Sequence, residues 1–162
     1  MKHTRNKDEL LVELIGYIGE GSPLFDLPLQ GVKKIIIDLE KVNYINSVGI
    51  KNWITWTRKI PEDCDVFLRN VLPSVVNQIN VVVGFLPPRS TLESIQVPYY
   101  CDTCNKEESL LYKLGQHYFM TTDTEEGRVV HPEDVTCGKE DCTFTTDVLE
   151  SKYFAFLKKK DS

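Results

Sequence analysis

Four of the five cysteines stand in two close pairs, Cys101-Asp102-Thr103-Cys104 and Cys137-Gly138-Lys139-Glu140-Asp141-Cys142. Two thiolates two to four residues apart can turn back on one cation, and a second such pair completes a tetrahedron. Gly138 suits the tight turn that such a knuckle needs. Structural zinc is the chemistry this pattern expects, with Cys101, Cys104, Cys137 and Cys142 as the ligands. A disulfide framework fits poorly, because the cysteine count is odd and the N-terminus shows no export signal. A redox CxxC sits at the start of a helix with no second pair beside it, and the common iron–sulfur spacings differ from these. His117 and His131 are the alternative nitrogen ligands, although histidines so placed are more often surface or loop residues. Four thiolates close the coordination sphere, so the metal would hold a fold together and catalyse nothing.

The other position with a chemical handle is Ser47. It precedes a helical pattern, where a serine oxygen can accept from the free amides of the first turn. A phosphate there is electrostatically tolerated and adds about two negative charges. The chain has no glycine-rich phosphate loop, no HExxH and no GxSxG, and its serines, histidines and carboxylates show no nucleophile–base order. Asp38 and Asp26 read as turn or capping residues. The expectation is a non-enzyme.

These residues must be positioned by the elements around them. The central one is a strand at Ile35-Ile36-Ile37, whose uninterrupted β-branched block fits the middle of a mixed sheet covered by helices. A polar connection over 38–46 follows, then a Ser47-capped helix carrying Ile50, Trp53, Ile54, Thr57 and Ile60 at helical spacing. Gly49 leaves room for close backbone approach. Trp53 and Trp56 lie three apart and do not both fit a narrow stripe, so Trp56 is the candidate for partial exposure and partner contact. Upstream, the spacing predicts a strand ending near Gly16 to Ile18, a dense turn at 19–23, and a short helical turn or loop at 24–29. Downstream it predicts a strand over 65–71. A helix over 72–86 follows, with Pro73 in its first turn and Leu72, Val75, Val76, Ile79, Val82, Val83 and Leu86 on one stripe. Cys64 reads as a small core hydrophobe.

The segments Ile36-Ile37-Asp38-Leu39 and Tyr44-Ile45-Asn46-Ser47-Val48-Gly49-Ile50 resemble the core signature of STAS domains, the fold of bacterial anti-sigma factor antagonists. That family carries a hydrophobic strand, an Asp-Ser-x-Gly turn and an amphipathic helix. Here Asn46 stands in place of the Asp, while Ser47 and Gly49 match. The resemblance spans about residues 9 to 86. It implies an α/β fold, a STAS-like mixed β-sheet with helices packed on it. It also implies a protein partner such as an anti-sigma factor or a kinase-like regulator, and phosphorylation of Ser47 by a partner kinase as a switch.

Past Pro88 the pattern changes. Residues 91–100 look extended, with Pro98 confining them to an edge or a strand end. The expected organisation is a STAS-like domain over 1–98 and a small four-cysteine, zinc-ribbon-like module over 99–162. Short strands are predicted at 110–112, 118–121 and 128–130, and a closing segment at 148–157 docks the module on the first domain. A module of that size lacks the area for a large core, so a metal would supply what packing cannot. Lys158-Lys159-Lys160 reads as a solvated tail.

Charge divides the chain unevenly. Residues 1–100 carry 11 acidic and 11 basic side chains, residues 101–162 carry 13 and 8, and the whole net charge of −5 therefore falls in the last third. Phosphate binding draws on clustered Lys and Arg, so an acidic C-terminal unit is a poor nucleic-acid grip. No stretch approaches 18 apolar residues, so no membrane association and a cytoplasmic location are expected. The functional expectation is a non-enzymatic regulatory or scaffold protein acting through protein contacts. The alternative is a nucleic-acid-binding zinc ribbon on an α/β dimerisation domain, which needs a basic stripe joining Lys33, Lys34, Lys51, Arg58 and Lys59.

Overall fold

The computed structural model describes residues 1–158; Lys159 and Lys160 of the expected lysine tail lie outside them. A five-stranded mixed sheet forms the larger layer, in the order β1 (Lys2–Asn6), β2 (Glu9–Ile18), β3 (Lys34–Ile45), β4 (Asp65–Arg69) and β5 (Ser90–Leu92). β1 runs antiparallel to β2, and every other pairing is parallel. Helix α1 (Ser47–Thr57) links β3 to β4, and α2 (Pro73–Val81) links β4 to β5. Both crossovers advance the same way across the sheet, and right-handed connections therefore put both helices on the same face. Alternation along the strands follows: Leu10, Val12, Ile35, Ile37, Val66 and Leu68 join the core beneath the helices. Among the described residues no helix covers the opposite face.

β3 is longer than the Ile35–Ile37 block. Residues 38–45, read above as a polar connection, continue the strand, because β2 stays paired beside them as far as Ile18↔Ile45. β4 leaves after Asp38↔Arg69. With one neighbour gone, Glu40, Lys41, Asn43 and Tyr44 are solvent-exposed, which is why no apolar run marks the extension. The two strands slip register twice, next to Gly16, whose φ of +84° favours glycine.

α1 buries a wider stripe than its spacing suggests. Trp53 and Trp56 are each 1% exposed, so the expected partner contact at Trp56 does not hold. Trp53 stacks on Phe85 at 5.4 Å and donates its Nε1–H to the Phe85 carbonyl at 2.8 Å. Its ring lies 5.8 Å from that of Trp56, which closes the interior behind it.

α2 stops short of the predicted length. Val82 is already extended at φ −98°, ψ 114°, and Gly84 turns the chain at φ +78°. Val81, the last helical residue, and Val83 beyond it are 73% and 94% exposed, so Val83 leaves the predicted stripe and only Val75, Val76 and Ile79 are buried from the helix.

β6 (Ser94–Cys101) is the middle strand of a second sheet, between β10 (Thr145–Thr146) and β7 (Lys106–Lys113). The boundary expected at 98–99 falls inside this strand, and Val71 bridges Ile95 from the first sheet. Pro98 is therefore central, not at an edge. Its carbonyl accepts from the Asp147 amide, so its nitrogen faces the β10 side, where a two-residue strand pairs only Tyr99 and Tyr100 and asks for no third donor. A small pair, β8 (Tyr118–Phe119) and β9 (Arg128–Val129), stands apart. Helix α3 (Glu150–Tyr153) and a 3-10 turn over Ala155–Lys158 return to α2, where Asn80 donates to the Lys152 and Tyr153 carbonyls.

Candidate metal centre

The hairpin β6–β7 supplies the first two sulfurs. Cys101 ends β6, and Asn105, at φ +54°, donates its amide to the Cys101 carbonyl at 2.9 Å, closing the turn that carries Cys104. The second knuckle turns at Gly138, φ +85°, and at Asp141, φ +60°, which bring Cys137 and Cys142 back together. The sequence pairs are thus joined in space: the four Sγ atoms all lie within 4.8 Å of one another. Cys104 and Cys137 are 3.6 Å apart across the two knuckles. A tetrahedral four-sulfur site with metal–sulfur bonds of about 2.3 Å needs sulfurs about 3.8 Å apart. The donor set therefore fits a thiophilic cation.

Charge and burial agree with that fit. Cys101 and Cys137 are buried, and Cys104 and Cys142 are half-buried. The Cys104 backbone amide directed at the Cys101 sulfur, helped by neighbouring thiols, lowers the Cys101 pKa to about 7. Cys104 and Cys142 are pushed up, Cys142 to about 12, because their protons are shared with the sulfurs beside them and burial disfavours more negative charge. A divalent cation would offset the negative charge of thiolates gathered this closely. Lys106 adds an ammonium 3.3 Å from the Cys137 carbonyl, which ties β7 to the second knuckle. Cys64 is buried elsewhere, as a core residue.

Neither histidine joins the sulfurs. His117 Nδ1 accepts from the Lys113 amide at 3.0 Å. His131 takes its place in a chain of polar groups, with Nδ1 at 2.7 Å from the Tyr112 hydroxyl and Nε2 at 2.9 Å from Glu150 Oε2. Tyr112 in turn bonds the Tyr99 hydroxyl. This relay fastens α3 to the β6–β7 hairpin, and sequence spacing gave no sign of it.

At the head of α1 the cap is Asn46, not Ser47. The Asn46 side chain accepts from the Gly49 amide at 2.7 Å, and Ser47 is the first helical residue, exposed. Gly49 is required by crowding: a Cβ there would lie 2.1 Å from the Ile18 carbonyl oxygen. Beside this turn Tyr17 and Tyr44 stack at 5.6 Å, and they are 58% and 52% exposed. Parallel register puts them side by side, a tertiary pairing that local sequence cannot reveal.

No family model matches the chain, and no curated protein is similar to it. Among the described residues no helix is long and apolar enough to cross a membrane.

Proposed function

We propose that the chain is a non-enzymatic, STAS-like regulatory or scaffold protein that works by protein contact, with structural zinc held by Cys101, Cys104, Cys137 and Cys142. The observation that carries the contact half is the exposed cluster at the β3–α1 turn. There Ser47 and Val48 are exposed three and four residues after Tyr44, whose ring stacks on that of Tyr17. Two exposed aromatic rings on a rigid sheet end are the kind of anchor that protein partners bury. A phosphate on Ser47 would add bulk and charge where such a partner sits. An anti-sigma factor or a kinase-like regulator is the partner class the signature suggests.

The basic stripe that nucleic-acid binding needs gains no support. Lys33 pairs with Asp63 and Lys34 with Glu9, and Lys34 lies over Phe67 on the helix-free face, away from Lys51 and Arg58 of α1. Zinc is supported by the four-sulfur geometry, the group among the described residues being Cys101, Cys104, Cys137 and Cys142.

The test has two arms. Affinity capture from native extract should recover a partner with wild-type chain and lose it with Ser47→Asp or with Tyr17→Ala/Tyr44→Ala. Capture indifferent to all three changes would move the contact elsewhere. Elemental analysis of protein purified without chelator should give one zinc per chain, and titratable thiols in metal-free native protein would remove the zinc reading.

A further inference from the structure

The helix-free face of the five-stranded sheet has a pattern of its own. Leu11, Ile36 and Phe67 lie opposite one another across β2, β3 and β4, in the registers Leu11↔Ile36 and Ile36↔Phe67. Ile36 is only 5% exposed, yet it does not belong to the core under the helices; Leu11 is 42% exposed. These three make a separate apolar stripe across the sheet. One residue pair to either side runs a row of charge. The first is Glu9, Lys34, Asp65 and Arg89, with Lys34 bonded to Glu9 at 3.0 Å and Arg89 to Asp65 at 2.6 Å. The second is Glu13, Asp38, Arg69 and Glu93, with Arg69 bonded to Glu93.

We propose that a second copy of this chain packs on this face, about a two-fold axis lying along the apolar stripe. That rotation lays the stripe on its own copy and each charged row on the other row. Lys34 then meets Asp38 of the copy, Asp65 meets Arg69, and Arg89 meets Glu93, three opposite-sign encounters, each made twice. The one like-charged encounter, Glu9 against Glu13, involves two carboxylates that already hold Lys34 and Lys41. An isologous interface demands a patch complementary to itself under such a rotation, and charge order of this kind sets register and orientation. Two sheets packed with aligned strands are the ordinary way to cover an apolar sheet face. Five strands about 4.8 Å apart and five residues of about 3.3 Å give about 400 Å² per copy. The total of about 800 Å² is small for a specific contact, so association should be weak and concentration-dependent.

The experiment is sedimentation equilibrium of the full chain, with zinc present, up to about 1 mM. Mass should rise from 18.6 kDa toward twice that value as concentration increases. Phe67→Glu should hold the chain monomeric throughout. Leu11→Glu, at a more exposed site, should do the same and guards against a folding defect in the first variant. Asp65→Arg and Arg69→Asp should each weaken association about tenfold. The double variant should associate more tightly than either single one. A chain that stays monomeric at every concentration overturns the proposal, whether or not some other protein covers the face. So does a dimer indifferent to both Phe67→Glu and Leu11→Glu, or a double variant no better than the singles.

Discussion

On β2, β3 and β4 the inward side chains are aliphatic: Val12, Ile35, Ile37, Leu39, Val66 and Leu68 are each 0% exposed, and regular strands of up to twelve residues satisfy the backbone. Beyond β6 the interior is aromatic. Tyr99, Tyr112, Tyr118, Phe144, Tyr153, Phe154 and Phe156 fill it, while β8, β9 and β10 have two residues each. The tyrosine hydroxyls there are bonded, Tyr118 to the Leu92 carbonyl at 2.6 Å and Tyr153 to the Gln96 carbonyl. Burial pushes the Tyr112 and Tyr118 pKa values above their usual range, so both stay neutral donors. The difference teaches what replaces a ladder: where strands are too short to pair their backbones, rings with polar tips and a sulfur cluster set the geometry.

Removing the proposed metal tests that contrast most severely. Structural zinc in small domains supplies on the order of 10 kcal/mol of apparent folding free energy at neutral pH. Excess chelator, or Cys101→Ser, should therefore abolish hydrogen-exchange protection over residues 101–147. Amides of β2, β3 and β4 should stay protected, since their packing contains no sulfur ligand. Equal loss in both regions would mean that the aliphatic sheet leans on the metal too, and the two-part description would fail.

Within the sheet region, the tryptophans sharpen the comparison. Trp56→Ala should cost about 3–5 kcal/mol in denaturant unfolding, as expected for a fully buried ring. Phenylalanine substitutions should separate the pair. Trp53→Phe loses a buried hydrogen bond to Phe85, a net effect of about 1 kcal/mol beyond the lost ring area. The Trp56 Nε1 is buried with no hydrogen-bond partner among the described residues, so Trp56→Phe removes a donor that is already unmatched. It should be the milder change. If Trp56→Phe costs as much as Trp53→Phe, an unseen partner such as a buried water satisfies it.

The same residues show how much was legible beforehand. Isoleucines in a row announced β3, and Pro73 announced the start of α2, because these signals are local. The four cysteines were legible as a set because ligand spacing is set by the metal's geometry. Trp56 was misread because the width of a helix's buried face depends on what lies against it; here Phe85 arrives from beyond α2 to cover Trp53, and Trp56 packs beside that ring. The second half of β3 was misread because its single parallel neighbour makes it look like a loop. The Glu150–His131–Tyr112–Tyr99 chain joins four separate segments, and no short-range pattern encodes that.

Gly49 is the next test in size, and it probes the seam where α1 leaves the sheet. A methyl group there would strike the Ile18 carbonyl oxygen, which is fixed backbone that also accepts from the Asn46 amide at 3.2 Å. Alanine would gain up to about 1 kcal/mol of helix propensity. The forced shift of α1 against β2 should outweigh that, for a net loss of about 1–3 kcal/mol. The loss should leave the cysteine region's exchange protection unchanged, which separates a seam defect from a global one.

The smallest effects concern the two neighbours at the head of α1, and their difference is the point. Asn46→Ala removes the acceptor for the Gly49 amide and should cost about 1 kcal/mol. Ser47→Ala changes an exposed residue outside the cap, and its effect should stay within about 0.5 kcal/mol. Asn46→Asp keeps the acceptor and adds a charge that the helix N-terminus favours, so it should be neutral or slightly stabilising. Denaturant midpoints of the three variants rank these values directly. If Ser47→Ala proves as costly as Asn46→Ala, the serine is the true cap and its hydroxyl is committed to the helix. If instead the serine is silent in stability, its hydroxyl is left for a partner or a phosphate, which is the condition a switch at this turn requires.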